Sequence, residues 1–229
     1  MSLINLHIIT EGYTELLFVK NVLYTFLLDK GINATPRCIL TGERQRGGLT
    51  SYNKARNEII CWLKASSSND SRFTTMFDLY RLPANFPEYD RAKKISDPYQ
   101  RVMFLEMAMK DDINDWRFIP YIQLHEYEAL LFAEPDKLML QYPDRKTEID
   151  ELVLVRDSSK DKNPELINDG EDTSPSKRIK KILPMYAKTT DGPLVAKAIG
   201  IESLKQKCRH FREWLESLET LSRKRQINK

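Results

Sequence analysis

Five carboxylates of this chain fall where their types and spacing could do chemistry together: Glu11, Glu15, Asp78 and the pair Glu126 and Glu128. Three stretches that read as β-strands end at these acids, and in a parallel α/β sheet ligands bind beyond the carboxyl ends of the strands. Glu15 follows Glu11 by one helical turn, so both lie on one face at the start of a helix. Helix N-termini favour anions, yet like charges this close repel unless a cation sits between them. Carboxylate oxygens suit magnesium or manganese rather than zinc. Taken singly, each acid is also an ordinary loop residue or helix cap. Recurrence at one sheet edge lifts the set above that reading, with Glu11, Asp78, Glu126 and Glu128 as candidate metal ligands. Which of Glu126 and Glu128 points inward is open, because a one-residue change at the strand end reverses the answer.

Nearby residues could serve the same site. His125 adjoins the acids and is either a proton shuttle or a satisfied structural histidine. Arg44 and Arg46, in GERQRGG, lie in a glycine-containing loop suited to touching a phosphate backbone; the loop lacks the Lys-Ser/Thr pattern of a nucleotide P-loop. Lys177, Arg178, Lys180 and Lys181 spread over a broad arc of a predicted helix while Ile179, Ile182 and Leu183 pack inward, and read as phosphate contacts or as a solvated face. No GxSxG elbow is present, and HEYE is not HExxH.

The elements that must position these side chains alternate. LINLHIIT (3–10) reads as a strand buried on both faces, and the run after it recurs at helical spacing until Gly31. Ile32–Leu40 is a second strand, Leu49–Ala65 a second helix and Phe73–Phe77 a third strand. A proline-bearing loop leads to a helix over Tyr99–Lys110. Arg117–Leu124 is a fourth strand in which Pro120 predicts an edge position or a bulge. The order predicts an α/β fold: a largely parallel four-stranded sheet flanked by helices, with a helical C-terminal extension. The expected divisions are 1–135 for the α/β part, 136–173 for a helix and polar loop, and 174–229 for a basic helical subdomain. Within the second, Asp157–Thr173 reads as a linker or mobile loop; Ser174 opens the next helix as an N-cap, with Pro175 in its first turn.

Composition bounds the rest. The 229 residues are 41% hydrophobic and 30% charged, as in an ordinary globular protein. Three dispersed cysteines argue against a disulfide framework or a zinc knuckle and fit a reducing cytoplasm; no signal peptide or membrane span is read. The net charge of +3 divides into +9 over 174–229 and −6 over 1–173, which suggests a polyanion partner or an acidic protein surface. Trp214, Leu215, Leu218 and Leu221 suit a core or a dimer contact.

TEGYTE, at Thr10 to Glu15, resembles the opening motif of Toprim domains in nucleases of the overcoming-lysogenization-defect type. TTMFDLYRLPANFP, RFIPYIQLHEYEALLF, SPSKRIKKILPMY and GPLVAKAIGIESLKQKCRHFREWLESL more closely resemble the Toprim-like bacterial family catalogued as domain of unknown function four-two-seven-six. The resemblance implies a metal-dependent nuclease, with Glu11 as the first-strand glutamate and Asp78 as the first acid of an Asp-x-Asp pair. It also implies a role in bacterial defence beside an ABC-type ATPase. Here the second acid is replaced by Tyr80. Glu126 or Glu128 could substitute and Glu15 could hold a second ion or orient water; otherwise one metal binds, or catalysis is lost. Two readings follow: a Mg2+- or Mn2+-dependent nuclease in which Glu11, Glu15 and Asp78 are catalytic, or a non-catalytic module that regulates an ATPase partner.

Overall fold

The computed structural model describes residues 3–39, 48–66, 68–167 and 173–227, the last stretch with side chains to Ser222. Strand β1 (Ile4–Thr10) lies at the centre, flanked by β2 (Ile32–Cys38) and β3 (Ser71–Asp78), and every pairing is parallel. A two-piece strand, β4 (Phe118–Ile119) and β5 (Ile122–Gln123), completes the sheet along β3. Proline marks both margins, Pro36 in β2 and Pro120 between β4 and β5. A residue without an N–H is tolerated where no further strand must be fed. The break at Pro120 is bridged by Thr75: its hydroxyl accepts from Tyr121 N (2.9 Å) and donates to Tyr121 O (2.8 Å).

One long helical run, α1, follows β1; it consists of Tyr13–Phe18, a π turn at Val19–Leu23 and Tyr24–Asp29. Helices α2 (Tyr52–Ala65) and α3 (Pro98–Ile113) cover the opposite face. Asp97 caps α3 through Gln100 N at 2.8 Å, with Pro98 in its first turn. After β5 the chain forms two 3-10 segments, Tyr127–Ala133 and Pro135–Leu140. Helices α4 (Lys146–Asp157), α5 (Pro175–Ile182), α6 (Lys188–Ile199), α7 (Ile201–Lys207) and α8 (Arg209–Ile227) follow. Helix α4 falls in a region that periodicity left unassigned.

The sheet separates two apolar clusters. Ile4, Leu6 and Ile8 of β1 face α1 and the C-terminal helices, while Ile9, Phe73 and Phe77 face α2 and α3. Strand β1 is buried on both faces only toward its end; Asn5 is exposed and His7 half-buried, so the expected continuous burial holds where the site begins.

One open reading is decided and one expectation changes. Trp214, Leu215 and Leu218 are buried, and Trp214 stacks on Tyr121 at 4.2 Å while its indole N–H donates to Thr74 Oγ1 at 2.9 Å. Those three residues of the stripe are therefore core. The Asp157–Thr173 stretch is also not a free linker where it is described. Glu165 is fully buried, and its carboxylate accepts from His210 N (2.9 Å), Phe211 N (3.0 Å) and Tyr99 Oη (2.9 Å). Buried N–H groups at a helix start require such acceptors, and Glu165 serves α8 in that way. Among the described residues, no helix is long and apolar enough to cross a membrane.

Candidate functional site

Strands β1 and β3 are neighbours, with Thr10 opposite Met76, so their ends deliver Glu11 and Asp78 to one place. Glu11 is held by backbone donors: Oε2 accepts from Asp78 N (3.0 Å) and Oε1 from Leu49 N (3.4 Å). Asp78 Oδ1 in turn accepts from Tyr127 N at 2.9 Å, which ties the end of β3 to the first 3-10 segment. Glu15 folds back toward Gly12, where an added Cβ would stand 2.8 Å from Glu15 Oε2. Glycine at position 12 is what gives that carboxylate room.

The pair Glu126 and Glu128 separates. His125 turns the chain with φ at 61°, and the 3-10 segment that follows sends the two side chains apart. Glu128 is fully buried beside Asp78 and Glu15. Glu126 instead accepts from Ser176 N at 2.9 Å and so caps α5. The capping expected of Ser174 is thus supplied by a distant glutamate; the Ser174 side chain makes no cap bond. His125 lines separate cavities, one of them with Tyr80, Arg101 and Leu105, and does not face the acids as a shuttle would. Tyr80 faces that same way, and its N–H donates to His125 O at 2.9 Å.

Lys188, at the start of α6, enters the acidic cluster, and sequence reasoning had passed over it. Its Nζ lies 2.8 Å from Glu128 Oε2 and 4.0 Å from Asp78 Oδ2. Helix α6 comes this close because Gly192 sits against Tyr186 and Tyr127, where a Cβ would meet Tyr186 Oη at 3.0 Å and Tyr127 Cε1 at 3.1 Å. A cation in the first turn of a helix opposes the helix dipole, so the carboxylates must hold it there. That mismatch was a sequence-level signal, though a weak one. Tyr186 Oη also donates to Glu128 Oε1, at 3.4 Å.

Burial dominates the electrostatics. It raises the Glu15 pKa to about 7, with Lys188 opposing and the charges of Glu11 and Glu128 adding. Burial likewise pushes Asp78 well up, opposed by Lys188 and reinforced by Glu15, Glu11 and Glu128. Glu11 and Glu128 are raised by burial as well, Glu11 against its two backbone N–H donors and Glu128 against Lys188. Lys188 is shifted the other way: burial would lower it, but Glu128 and Asp78 overcome that and keep it charged.

Above the cluster opens a cavity of about 550 Å3. Glu11, Glu15 and Asp78 line its floor, and Arg81, Lys177, Lys180, Lys181 and Lys188 line its sides. The structure therefore brings three of the four predicted basic residues of α5 to the acids. Arg178 turns away and donates to Thr173 O at 2.6 Å. Arg81 was missed; it follows Asp78 by one 3-10 turn, Leu79–Arg81. Arg44 and Arg46 lie outside the described residues.

In the chemistry of its donors alone the cluster suits a hard divalent cation: its atoms are carboxylate oxygens, buried and mutually repelling, with the Lys188 ammonium among them. Glu11, Glu15 and Asp78 are the residues that would hold the ion from the cavity side. In the present spacing, among the described residues, no three His, Cys, Asp or Glu side chains stand close enough to ligate one ion; Lys188 does part of the neutralising.

A family model described as domain of unknown function (DUF4276) matches residues 10–219. Among solved structures, the C-terminal region of the OLD protein of Xanthomonas campestris pv. campestris is similar at 14% identity, with a TM-score of 0.45 and 97% of each chain covered. No curated protein matches.

Proposed function

The chain belongs to the domain of unknown function (DUF4276) family, and we propose that it is a Toprim-like, Mg2+- or Mn2+-dependent phosphodiesterase acting on nucleic acid. The observation that carries this reading is the cavity itself, with a carboxylate floor under a wall of lysines and an arginine drawn from separate parts of the chain. A phosphodiester is a chain of anions. Lys177, Lys180, Lys181 and Arg81 would neutralise its phosphates, while buried carboxylates alone would repel it. A bound divalent ion supplies a polarised phosphoryl oxygen and an activated water. Glu11 and Asp78 are fixed by backbone N–H groups and would present their remaining lone pairs in a set direction. Glu15, at the start of α1 and lining the same cavity, would hold the ion or orient that water.

A second reading has its own observation. Lys188 already pairs with Glu128, and Tyr80 stands where a second aspartate would be expected. A cluster neutralised in this way suits a non-catalytic module that binds and regulates an ABC-type ATPase in phage defence.

Supercoiled plasmid and single-stranded RNA, incubated with purified protein in Mg2+ or Mn2+, separate the two. The nuclease reading expects cleavage that is lost in Asp78→Ala, and cleavage surviving in that variant would defeat the site. The double change Lys180→Gln/Lys181→Gln should weaken nucleic-acid binding and reduce the salt slope by roughly 1.4–1.8, about 0.7–0.9 per lost contact. An unchanged slope would remove α5 from the interface. Absence of both cleavage and metal binding would favour the regulatory reading.

A further inference from the structure

We propose that the two cavities walled by His125 form a subsite for unpaired nucleotides, so that the nucleic acid is single-stranded where it meets this protein. The inference rests on the nucleic-acid reading above and names the form of the ligand; it makes no use of a metal ion. One 3-10 turn, Leu79–Arg81, stands between the acids and the first of these cavities. In such a turn residues three apart are eclipsed. Asp78, which precedes the turn, and Arg81 therefore share one side and line the cavity over the acids, whereas Leu79 and Tyr80 line the neighbouring one. A strand with a phosphate at Arg81 has Tyr80 on the other side of the same turn.

The neighbouring cavity, of about 230 Å3, combines aromatic and cationic walls. Tyr80 and Tyr89, both half-buried, supply rings, and Lys93 and Arg101 supply charge. Lys93 Nζ lies 5.4 Å from the centroid of the Tyr89 ring, and Arg101 Nε donates to Ile95 O at 2.9 Å, which orients the guanidinium. The second cavity, of about 480 Å3, shares His125 and Pro98 with the first and so continues it. It adds Tyr99, Lys160 and Arg209, with the Arg209 guanidinium 5.2 Å from the centroid of the Tyr99 ring. Of its two acids, Asp97 is engaged in capping α3 and Asp161 is exposed. Among the described residues, no carboxylate pairs with Lys93, Arg101 or Lys160.

Cations gathered without counter-charges suit an anion, and the rings beside them suit a flat partner; a nucleotide is both. In a duplex the bases stack on one another and their faces are occupied. Only an unpaired nucleotide can lay its base on Tyr80 or Tyr89 while its phosphates meet Lys93, Arg101 and Lys160.

Fluorescence anisotropy of labelled oligothymidine, as a single strand and paired with oligoadenosine, reads binding apart from cleavage when EDTA is present. The single strand should bind more tightly than the duplex. Tyr80→Leu, which keeps an apolar side chain, should weaken single-strand binding about tenfold. Lys93→Gln/Lys160→Gln should lower the salt slope for the single strand by about 1.4, roughly 0.7 per lost contact. Duplex binding as tight as that of the single strand, or either variant matching the unsubstituted protein, would overturn the subsite. If Lys180→Gln/Lys181→Gln still weakens binding in that case, the nucleic-acid reading stands without it. No binding of either form would sink that reading and the subsite together.

Because Tyr80 lies in the turn that also carries Arg81, a second measurement uses the unsubstituted protein. Ultraviolet crosslinking to an oligonucleotide containing 4-thiothymidine, read by mass spectrometry, should place the base on Tyr80, Tyr89 or Tyr99. Crosslinks confined to the cavity over the acids would overturn the proposal.

Discussion

Removal of the Glu165 carboxylate should loosen the attachment of α8 more than any surface change. Glu165 is fully buried, and its two oxygens accept from the N–H groups of His210 and Phe211 and from the Tyr99 hydroxyl. Glu165→Ala leaves two buried helix-start donors without an acceptor, each costing about 1–3 kcal/mol. The Tyr99 side is only partly buried, so water can reach one end of the gap; we expect a loss of about 3 kcal/mol, toward the lower half of that sum. For a chain of this size that corresponds to roughly 6–12 °C in Tm. Glu165→Gln keeps one acceptor and removes a charge that burial already disfavours, since burial raises the Glu165 pKa against the two backbone donors. Its loss should be about half as large. Urea unfolding at fixed pH, followed by circular dichroism and tryptophan fluorescence, measures both. An alanine variant within about 1 kcal/mol of the parent, or a glutamine variant as damaged as the alanine one, would refute the reasoning.

The His210 ring lies 2.9 Å from Glu106 and also faces Glu165 and Glu213; burial lowers its pKa, but the Glu106 bond and these charges leave it raised. A raised histidine pKa stabilises the fold fully below the unfolded value of about 6.5, and that stabilisation is lost as pH rises through the folded value. The stability difference between the parent and His210→Asn should therefore shrink on going to alkaline pH, and Glu106→Gln should move the His210 resonance midpoint downward in an NMR titration. An unmoved midpoint would contradict the pairing. Gly12→Ala places a Cβ within 2.8 Å of Glu15 Oε2 and should drive that flexible carboxylate aside. Mn2+ affinity should fall by about tenfold, or 1.4 kcal/mol, while the far-ultraviolet spectrum is unchanged; equal affinity would show that Glu15 does not need its present position.

Much of the fold was legible because its causes are local. Aliphatic runs at strand spacing, helical periodicity after each, and Pro120 at a margin all act within a few residues, and together they imply a parallel sheet with acids at its carboxyl end. Glu11, Glu15 and Asp78 were readable for that reason: each sits within a turn of a strand end, and the parallel order places those ends side by side. The basic face of α5 was readable as a charge pattern, but its position over the acids was not.

What only the tertiary structure decided depends on contacts between distant residues. The left-handed turn at His125 and the 3-10 segment after it, not strand alternation, send Glu128 inward and Glu126 to Ser176, fifty positions away. Lys188 joins the acids because Gly192 lets α6 approach Tyr127 and Tyr186, a fit that no local pattern announces. Glu165 looked like part of a polar loop, and Trp214 suited either a core or a dimer contact; both are interior because α8 folds back over Thr74 and Tyr121. Sequence alone placed an acidic cluster at the sheet's end. Long-range packing decided which acids compose it and supplied the lysine that shares their charge.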